Sequence, residues 1–571
     1  MVSPATGRLG PDERSRSWER LGSETFDLVI VGGGVVGVGA ALDAATRGLR
    51  VALVEARDLA SGTSSRSSKL FHGGLRYLEQ LEFGLVREAL RERELMLTRI
   101  APHLVKPVSF LYPLAHRLWE RPYTAAGLLM YDTMGGARSV PGQKHLTRAG
   151  ALRMVPALKP SALIGGIRYY DAQADDARHT MMVGRTAAHY GAVVRTSTQV
   201  VGFLREADRV SGVRVRDVED GREVDVRAHA VVNATGVWTD ELQRLSGSRG
   251  RFRVRASKGV HVVVPRDRIV AESGLILRTE KSVLFVIPWR NHWIVGTTDT
   301  DWNLDLAHPA ATRKDIDYVL ERVNSVLATP LTHDDIEGVY AGLRPLLAGE
   351  SESTSKLSRE HAVARVAPGL VAIAGGKYTT YRVMAADAVD AAAVDLSGRI
   401  QPSITDKVPL VGADGYHALV NQADQLAARY GLHPYRVRHL LDRYGSLVHE
   451  VLGSADPELL KPVPAAPDYL QVEVVYAASH EGALHLEDVL TRRTRISIEY
   501  PHRGVACAPA VARLMGGVLG WDEARVDREI AVYTARVEAE RASQAEPDDE
   551  AADAVRSAAP EARPRLTEPV S

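Results

Sequence analysis

The segment "FDLVIVGGGVVGVGAALDAATRGLRVALVE", Phe26 to Glu55, constrains the fold more tightly than any other part of the chain. Phe26 to Val31 is a continuous apolar run, the pattern of a strand buried on both faces of a parallel sheet. Glycines follow, then a helical stretch from Val36 to Thr46 and a second apolar run from Val51 to Val54, which together predict a βαβ unit. Gly32, Gly34 and Gly37 fall between strand and helix with GxGxxG spacing. There the first glycine permits the tight turn, the second lets backbone approach a pyrophosphate, and the third lets the helix pack on the sheet. The helix N-terminus adds amide donors and the positive end of its dipole. Glu55, 18 residues beyond Gly37, ends the second strand where a carboxylate accepts ribose hydroxyls. GxGxxG alone is a weak signal, because glycine-rich turns are common. Strand, helix, second strand and terminal acid in that order make it a dinucleotide site.

The rest of the chain chooses between nicotinamide and flavin. Apolar strand patterns return at Ala230 to Gly236 and at Leu370 to Gly376, so three distant segments reach one cofactor edge. That suits an extended, buried FAD better than an exchangeable nicotinamide. The donor-rich stretch "SSRSSKLFHGGLRYLE", Ser64 to Glu79, lies past the second strand, on the edge where open α/β sheets bind ligands. Thr63, Ser64, Ser65, Ser68 and Lys69 are expected to meet pyrophosphate and ribitol oxygens, and His72-Gly73-Gly74 to lay backbone against the isoalloxazine. A solvated polar loop is the bland alternative. Further cofactor contacts are assigned to Val200, Gly236 and Trp238, and to the second glycine-rich turn at Gly376, Lys377, Tyr378 and Thr379. There, amides and the Lys377 ammonium face the flavin edge on which negative charge develops.

From Val254 to Thr298 the pattern becomes period-two, which predicts an antiparallel sheet inserted at about 250–345. An Asp220-Gly221 turn precedes it, and a helix with Thr312 as N-cap and Asp315 at the N3 position lies within it. Strand signals thin beyond about Ser403. The expected organisation is a flexible stretch over 1–25, an FAD-dependent oxidoreductase domain over 26–402, a helical domain over 403–541 and a disordered tail over 542–571. In fold class this is α/β (α+β overall), a Rossmann-type FAD-binding domain with an antiparallel-sheet substrate domain and C-terminal helices. With 571 residues the chain supports several domains, and 71 basic against 71 acidic residues give no global argument for nucleic-acid binding. The single cysteine, Cys507, excludes an intrachain disulfide and a cysteine-based metal centre, and no metal is expected. No secretory or spanning segment is apparent, so a cytoplasmic location is expected.

The chain resembles the FAD-dependent, quinone-linked glycerol-3-phosphate dehydrogenases. The resembling stretches, in order from about residue 26 to about 500, are the segment from Asp27 to Glu79, "DDAR", "VVNATGVW", "SKGVHVVVP", "VIPW", "VGTTDTD", "YAGLRPL", "AGGKYTTYR" and "LEDVLTRRTRI". The resemblance implies a D-amino-acid-oxidase-like fold with an added helical domain. It also implies FAD as cofactor, oxidation of sn-glycerol 3-phosphate to dihydroxyacetone phosphate, and electron transfer to a membrane quinone.

Such a reaction needs a hydride acceptor, a base for the hydroxyl proton and cations for the phosphate. Arg344 in "AGLRPL" and Arg76 in "HGGLRYLE" are the phosphate candidates, with Tyr77 adding a hydroxyl. His261 in "KGVHVVVP" is the preferred base or hydroxyl orienter, on the assumption of an ordinary pKa near 6.5, and Lys377 completes the catalytic set. Arg344 polarising the hydroxyl is an equal reading. Tyr112 to Tyr131, "YPLAHRLWERPYTAAGLLMY", joins cations to aromatics and leucines, as in a surface that dips into lipid headgroups on the inner face of the plasma membrane. A helical hairpin packed on the core would use the same residues. An oxidase using oxygen, a flavin amino-acid or amine oxidase and a flavin-bearing sensor remain open, as does a homodimer.

Overall fold

A computed structural model of the chain describes residues 7–74, 82–115, 139–247, 252–279, 283–348, 361–453 and 456–563. A continuous apolar strand needs cover on both faces, which an interior position in a parallel sheet supplies. Thr25–Val31 takes that position, parallel to Val51–Val54 on one side and to Glu223–Asn233 on the other. Val193–Arg195 and Leu370–Gly375 extend the parallel set outward. Chain order therefore reverses at Thr25–Val31, and the carboxyl ends of its neighbours open a crevice there. Helix Val35–Thr46 starts at the crevice, and Gly375-Gly376 leads from the last parallel strand toward helix Tyr381–Ala393.

The period-two segments form the second sheet. Val254–Pro265 pairs antiparallel with both His292–Gly296 and Gly338–Leu347, and Val283–Trp289 continues the sheet toward Gly274–Arg278. This sheet is larger than the 250–345 insertion that the pattern predicts. Gly274–Arg278 pairs in parallel with Val105–Leu114, which pairs with Gly165–Ala174, and that strand holds the short Leu70–Phe71. Among the described residues, four of the ten strands of this sheet thus come from before residue 175, through a long-range pairing that no local pattern reports. Helix Arg313–Asn324 begins at the Thr312–Asp315 capping box and packs its apolar stripe under the sheet through Ile316, Val319, Leu320 and Val323.

Beyond Thr405 helices dominate as far as Ser543, with one two-stranded ribbon at Pro462–Val463 and Ala466–Leu470. They grip the cofactor half of the molecule through buried charges. Arg493 forks onto both oxygens of Asp58 at 2.7 Å, Arg492 Nε reaches the same carboxylate at 2.6 Å, and Arg178 forks onto Glu481 at 2.7 and 3.0 Å. Among the described residues no helix is long and apolar enough to cross a membrane.

Both ends differ from the sequence expectation. Pro11–Ser23, within the stretch expected to be flexible, is a helix whose Leu21 is fully buried and whose Arg14 pairs with Asp217 at 2.9 Å. Asp549–Ser557, within the tail expected to be disordered, is a helix as well. Its Asp549 pairs with the buried Lys258, Ala552 packs beneath the second sheet's rim, and Arg563 beyond it forks onto Asp488 at 3.0 and 2.9 Å. Charge-rich composition signals disorder only when the charges lack fixed partners, and these partners lie 75 to 291 residues away. Removing one member of a buried pair costs about 3 kcal/mol. Arg563→Ala should therefore raise amide hydrogen exchange across Asp549–Ser557 by about a hundred-fold; unchanged exchange would show that the tail docks without this pair.

Candidate active site

At the crevice a cavity of about 1080 Å³ runs from the ends of the parallel strands to the face of the second sheet. Its floor is the glycine turn. Gly32 has φ +113°, and a Cβ there would meet the Ala234 carbonyl oxygen at 2.7 Å; a Cβ on Gly37 would fall on the Gly32 carbonyl oxygen. Backbone is thus held against backbone at the start of the helix. Gly33 N–H donates to Glu55 Oε2 at 2.6 Å and Arg57 N–H to Oε1 at 2.7 Å, so the carboxylate is oriented while burial pushes its pKa up. Val35 N–H donates to Ser64 Oγ at 2.9 Å, which draws the donor-rich loop over the helix N-terminus.

The expected cofactor residues divide into two groups. Gly32, Gly34, Glu55, Thr63, Ser64, Ser68, His72, Val200, Gly236, Trp238, Gly376, Lys377, Tyr378 and Thr379 line the cavity. Gly37, Ser65, Lys69, Gly73 and Gly74 are not on its wall. Lys69, expected to meet the pyrophosphate, points the other way: its Nζ is buried against Asp176 Oδ1 at 2.8 Å and the Ser65 carbonyl at 3.0 Å. Burial, and then Arg495, lower its pKa to about 8. Thr63 Oγ donates to the Leu343 carbonyl at 2.6 Å and so ties the loop to the second sheet. Tyr378 OH donates to the Asp176 carbonyl at 2.7 Å, and His72 N–H to Thr379 Oγ1 at 3.2 Å, which joins the two glycine-rich turns. Arg76 and Tyr77 lie outside the described residues.

The catalytic candidates come from strand register. Ser257, Gly259 and His261 alternate onto one face of their strand, and Tyr340, Gly342 and Arg344 stand opposite His261, Gly259 and Ser257 in turn. Gly259 makes room: a Cβ there would meet Arg344 Nη2 at 2.6 Å. The Arg344 guanidinium donates to the Thr298 carbonyl at 3.2 and 3.3 Å, lies 3.5 Å from Asp299 and remains 22% exposed toward the cavity. His261 is buried, stacks on Tyr340 at 4.7 Å, and holds Ser68 Oγ at 2.9 Å through Nε2. Burial first, then Arg344 and Lys69, push its pKa well below the usual value, so the imidazole is neutral at physiological pH. The assumption of a pKa near 6.5 is thereby corrected. Two residues acquire roles that sequence reasoning missed. Ser68, assigned to cofactor oxygens, is the partner of His261. Arg66 also lines the cavity and donates to the Ala307 carbonyl at 3.1 Å. Its signal was its position in the same loop as Ser64 and Lys69.

A family model described as "FAD dependent oxidoreductase" matches residues 27–382, and one described as "C-terminal domain of alpha-glycerophosphate oxidase" matches 403–526. The chain is 72% identical to a glycerol-3-phosphate dehydrogenase of Mycobacterium leprae over 565 residues, 99% of this chain and 97% of that one. It is 35% identical to the mitochondrial glycerol-3-phosphate dehydrogenase of Homo sapiens over 546 residues, 91% of this chain and 74% of that one. It belongs to the FAD-dependent glycerol-3-phosphate dehydrogenase family. The solved structure of the Bacillus halodurans glycerol-3-phosphate dehydrogenase, complexed with FAD, superposes with a TM-score of 0.75 at 29% identity, covering 93% of this chain and 98% of that one. L-Proline dehydrogenase from P. horikoshii, at 20% identity and a TM-score of 0.51, shares the fold.

The cofactor of this family is FAD, and the cavity fits it. The oriented Glu55 suits a ribose, the bare Gly32–Gly34 backbone and helix N-terminus suit a pyrophosphate, and the Gly376–Thr379 turn with His72 suits the flavin end. A Cβ on Gly34 would already lie 3.2 Å from Ser64 Oγ. Gly34→Val should consequently yield a folded but colourless protein, read from the flavin absorbance per chain; retention of stoichiometric flavin would place the pyrophosphate elsewhere.

Proposed function

We propose that this chain oxidises sn-glycerol 3-phosphate to dihydroxyacetone phosphate and passes the electrons to a membrane quinone. The observation that carries the reading is the pairing of a neutral, buried His261 with a cationic Arg344 on adjacent strands, both facing the cavity that fits FAD. When bound, FAD supplies the acceptor for the C2 hydride. His261 Nε2, the nitrogen in contact with Ser68 Oγ, takes the hydroxyl proton directly or through that serine. Its neutral state suits it to accept. Arg344 offers its guanidinium to the phosphate, and the carbonyl of Thr298 fixes its direction. Arg76 and Tyr77 remain part of the proposed phosphate clamp, and Lys377 is proposed to face the flavin edge. A lipid-dissolved acceptor calls for contact with the bilayer; the segment proposed for it, Tyr112 to Tyr131, lies mostly outside the described residues. The matched C-terminal model carries the name of an oxidase, so oxygen is the second reading for the acceptor.

A charge-assisted hydrogen bond contributes about 1.5–3 kcal/mol. Arg344→Ala should lower kcat/KM for glycerol 3-phosphate by about ten- to a hundred-fold, and by much less for plain glycerol, which has no phosphate to hold. Equal losses on both would assign Arg344 to the hydroxyl. For the acceptor, glycerol 3-phosphate should bleach the flavin anaerobically, and a quinone in anionic liposomes that co-sediment with the protein should restore it. Faster recovery with oxygen alone, or no bleaching by glycerol 3-phosphate, would overturn the respective half of the proposal.

A further inference from the structure

Arg66 is the wall between two cavities. On one side is the cofactor cleft; on the other is a space of about 70 Å³ between the loop and the C-terminal helices. Arg495, Arg503, Arg536 and Arg556 also line the smaller space, against the two carboxylates Glu487 and Glu540. Those carboxylates are already engaged. Glu540 pairs with Arg503 at 2.6 Å and with Arg556 at 3.1 Å, and Glu487 pairs with Arg492 at 3.1 Å. Arg495 is held by Asp175 and Asp176, while Arg536 shares Glu561 with Arg57 and His308. Arg66 has no carboxylate partner among the described residues. Three buried polar atoms of this wall lack a hydrogen-bond partner there: Ser497 Oγ, Arg536 Nη2 and Arg556 Nε. Burial and then the nearby Arg556 bring the Arg66 guanidinium down to about 9, and Arg536 is shifted in the same direction.

We propose that this cavity binds one small tetrahedral oxyanion, of the inorganic phosphate or sulfate class, bridging Arg66 to Arg536 and Arg556. Guanidinium groups present planar pairs of N–H donors that match such oxygens, and the Ser497 hydroxyl adds another donor. Cations gathered away from water need a counter-charge, and the five arginines that line this space face two carboxylates there. The space is far below the 1080 Å³ of the cleft, which excludes the dinucleotide. Bound there, the anion links the loop carrying Ser64 and Ser68 to the long helix Glu523–Ser543 and to the tail helix Asp549–Ser557. It occupies a place distinct from the phosphate clamp proposed at Arg344.

The test is calorimetric titration of the FAD-loaded protein with inorganic phosphate at constant ionic strength. The expected result is a site that Arg344→Ala leaves intact and that Arg556→Gln and Arg66→Gln each weaken by about ten- to a hundred-fold, the effect of losing a charge-assisted hydrogen bond. Arg66 makes no ion pair among the described residues, so its variant keeps the tail in place; amide exchange across Asp549–Ser557 verifies this. Phosphate binding lost in Arg344→Ala but kept in Arg66→Gln would put the anion in the cleft and overturn the proposal. Undetectable binding to the unsubstituted protein would overturn it too, leaving a cavity that holds water.

Discussion

Asp176 holds the loop on which both halves of the site depend. Its Oδ2 accepts from Ser67 N–H at 2.9 Å and from Ser67 Oγ at 2.7 Å, while Oδ1 takes Lys69 Nζ at 2.8 Å and Arg495. All three charged groups are buried, so no solvent would replace a lost partner, and removing the carboxylate would strand the Lys69 ammonium in the interior while Arg495 kept only Asp175. With the loop pinned, Ser64 meets the start of the cofactor helix and Ser68 meets His261. A single acid therefore sets the relation between the glycine turn and the strand that carries His261.

The C-terminal helices belong to the same scheme. Arg492, Arg493 and Arg495 lie within four consecutive positions, yet they reach Asp58 behind the cofactor turn and the Asp175-Asp176 pair behind the loop. One short segment thus braces the two ligand-facing turns from outside the cleft. Arg443 presses on the Arg493 carbonyl and on Asp175 at 3.3 Å, which keeps the brace continuous with the helices beyond it. The helical region gives the site rigidity without lining the main cavity.

Local features of this architecture were legible from the sequence, and distant pairings were not. The apolar strand, the Gly32–Gly37 turn and the Thr312–Asp315 cap each involve residues a few positions apart, and each has the predicted form. Alternation in "SKGVHVVVP" was enough to place His261 on a strand, whereas Arg344 was picked out only by its motif, and pairing of the two strands brought them together. Lys69 was misread because its partner, Asp176, is 107 residues away and invisible to a loop considered by itself. Without that acid an ammonium among serines resembles a phosphate ligand. The pKa of His261 is set by burial and by Arg344, and the order of the tail by Asp488 and Lys258; both effects exist only once the chain has folded.

The register that joins His261 and Arg344 has a consequence for how such a cleft changes over time. Arg344 stands opposite Ser257, four positions from His261 along the same strand, so backbone hydrogen bonds set the span between the two functional groups. At ~3.3 Å per residue, that span is about 13 Å of strand before the side chains lean together. Faces alternate at every position, so shifting either strand by one residue turns a functional group out of the cleft. Only moves of two residues, about 6.6 Å, preserve both. Side-chain replacement retunes the chemistry at fixed spacing, while the spacing itself changes only in jumps. A molecule gripped at both points is measured against a ruler with coarse divisions, and selectivity for its length has no gradual path to another value.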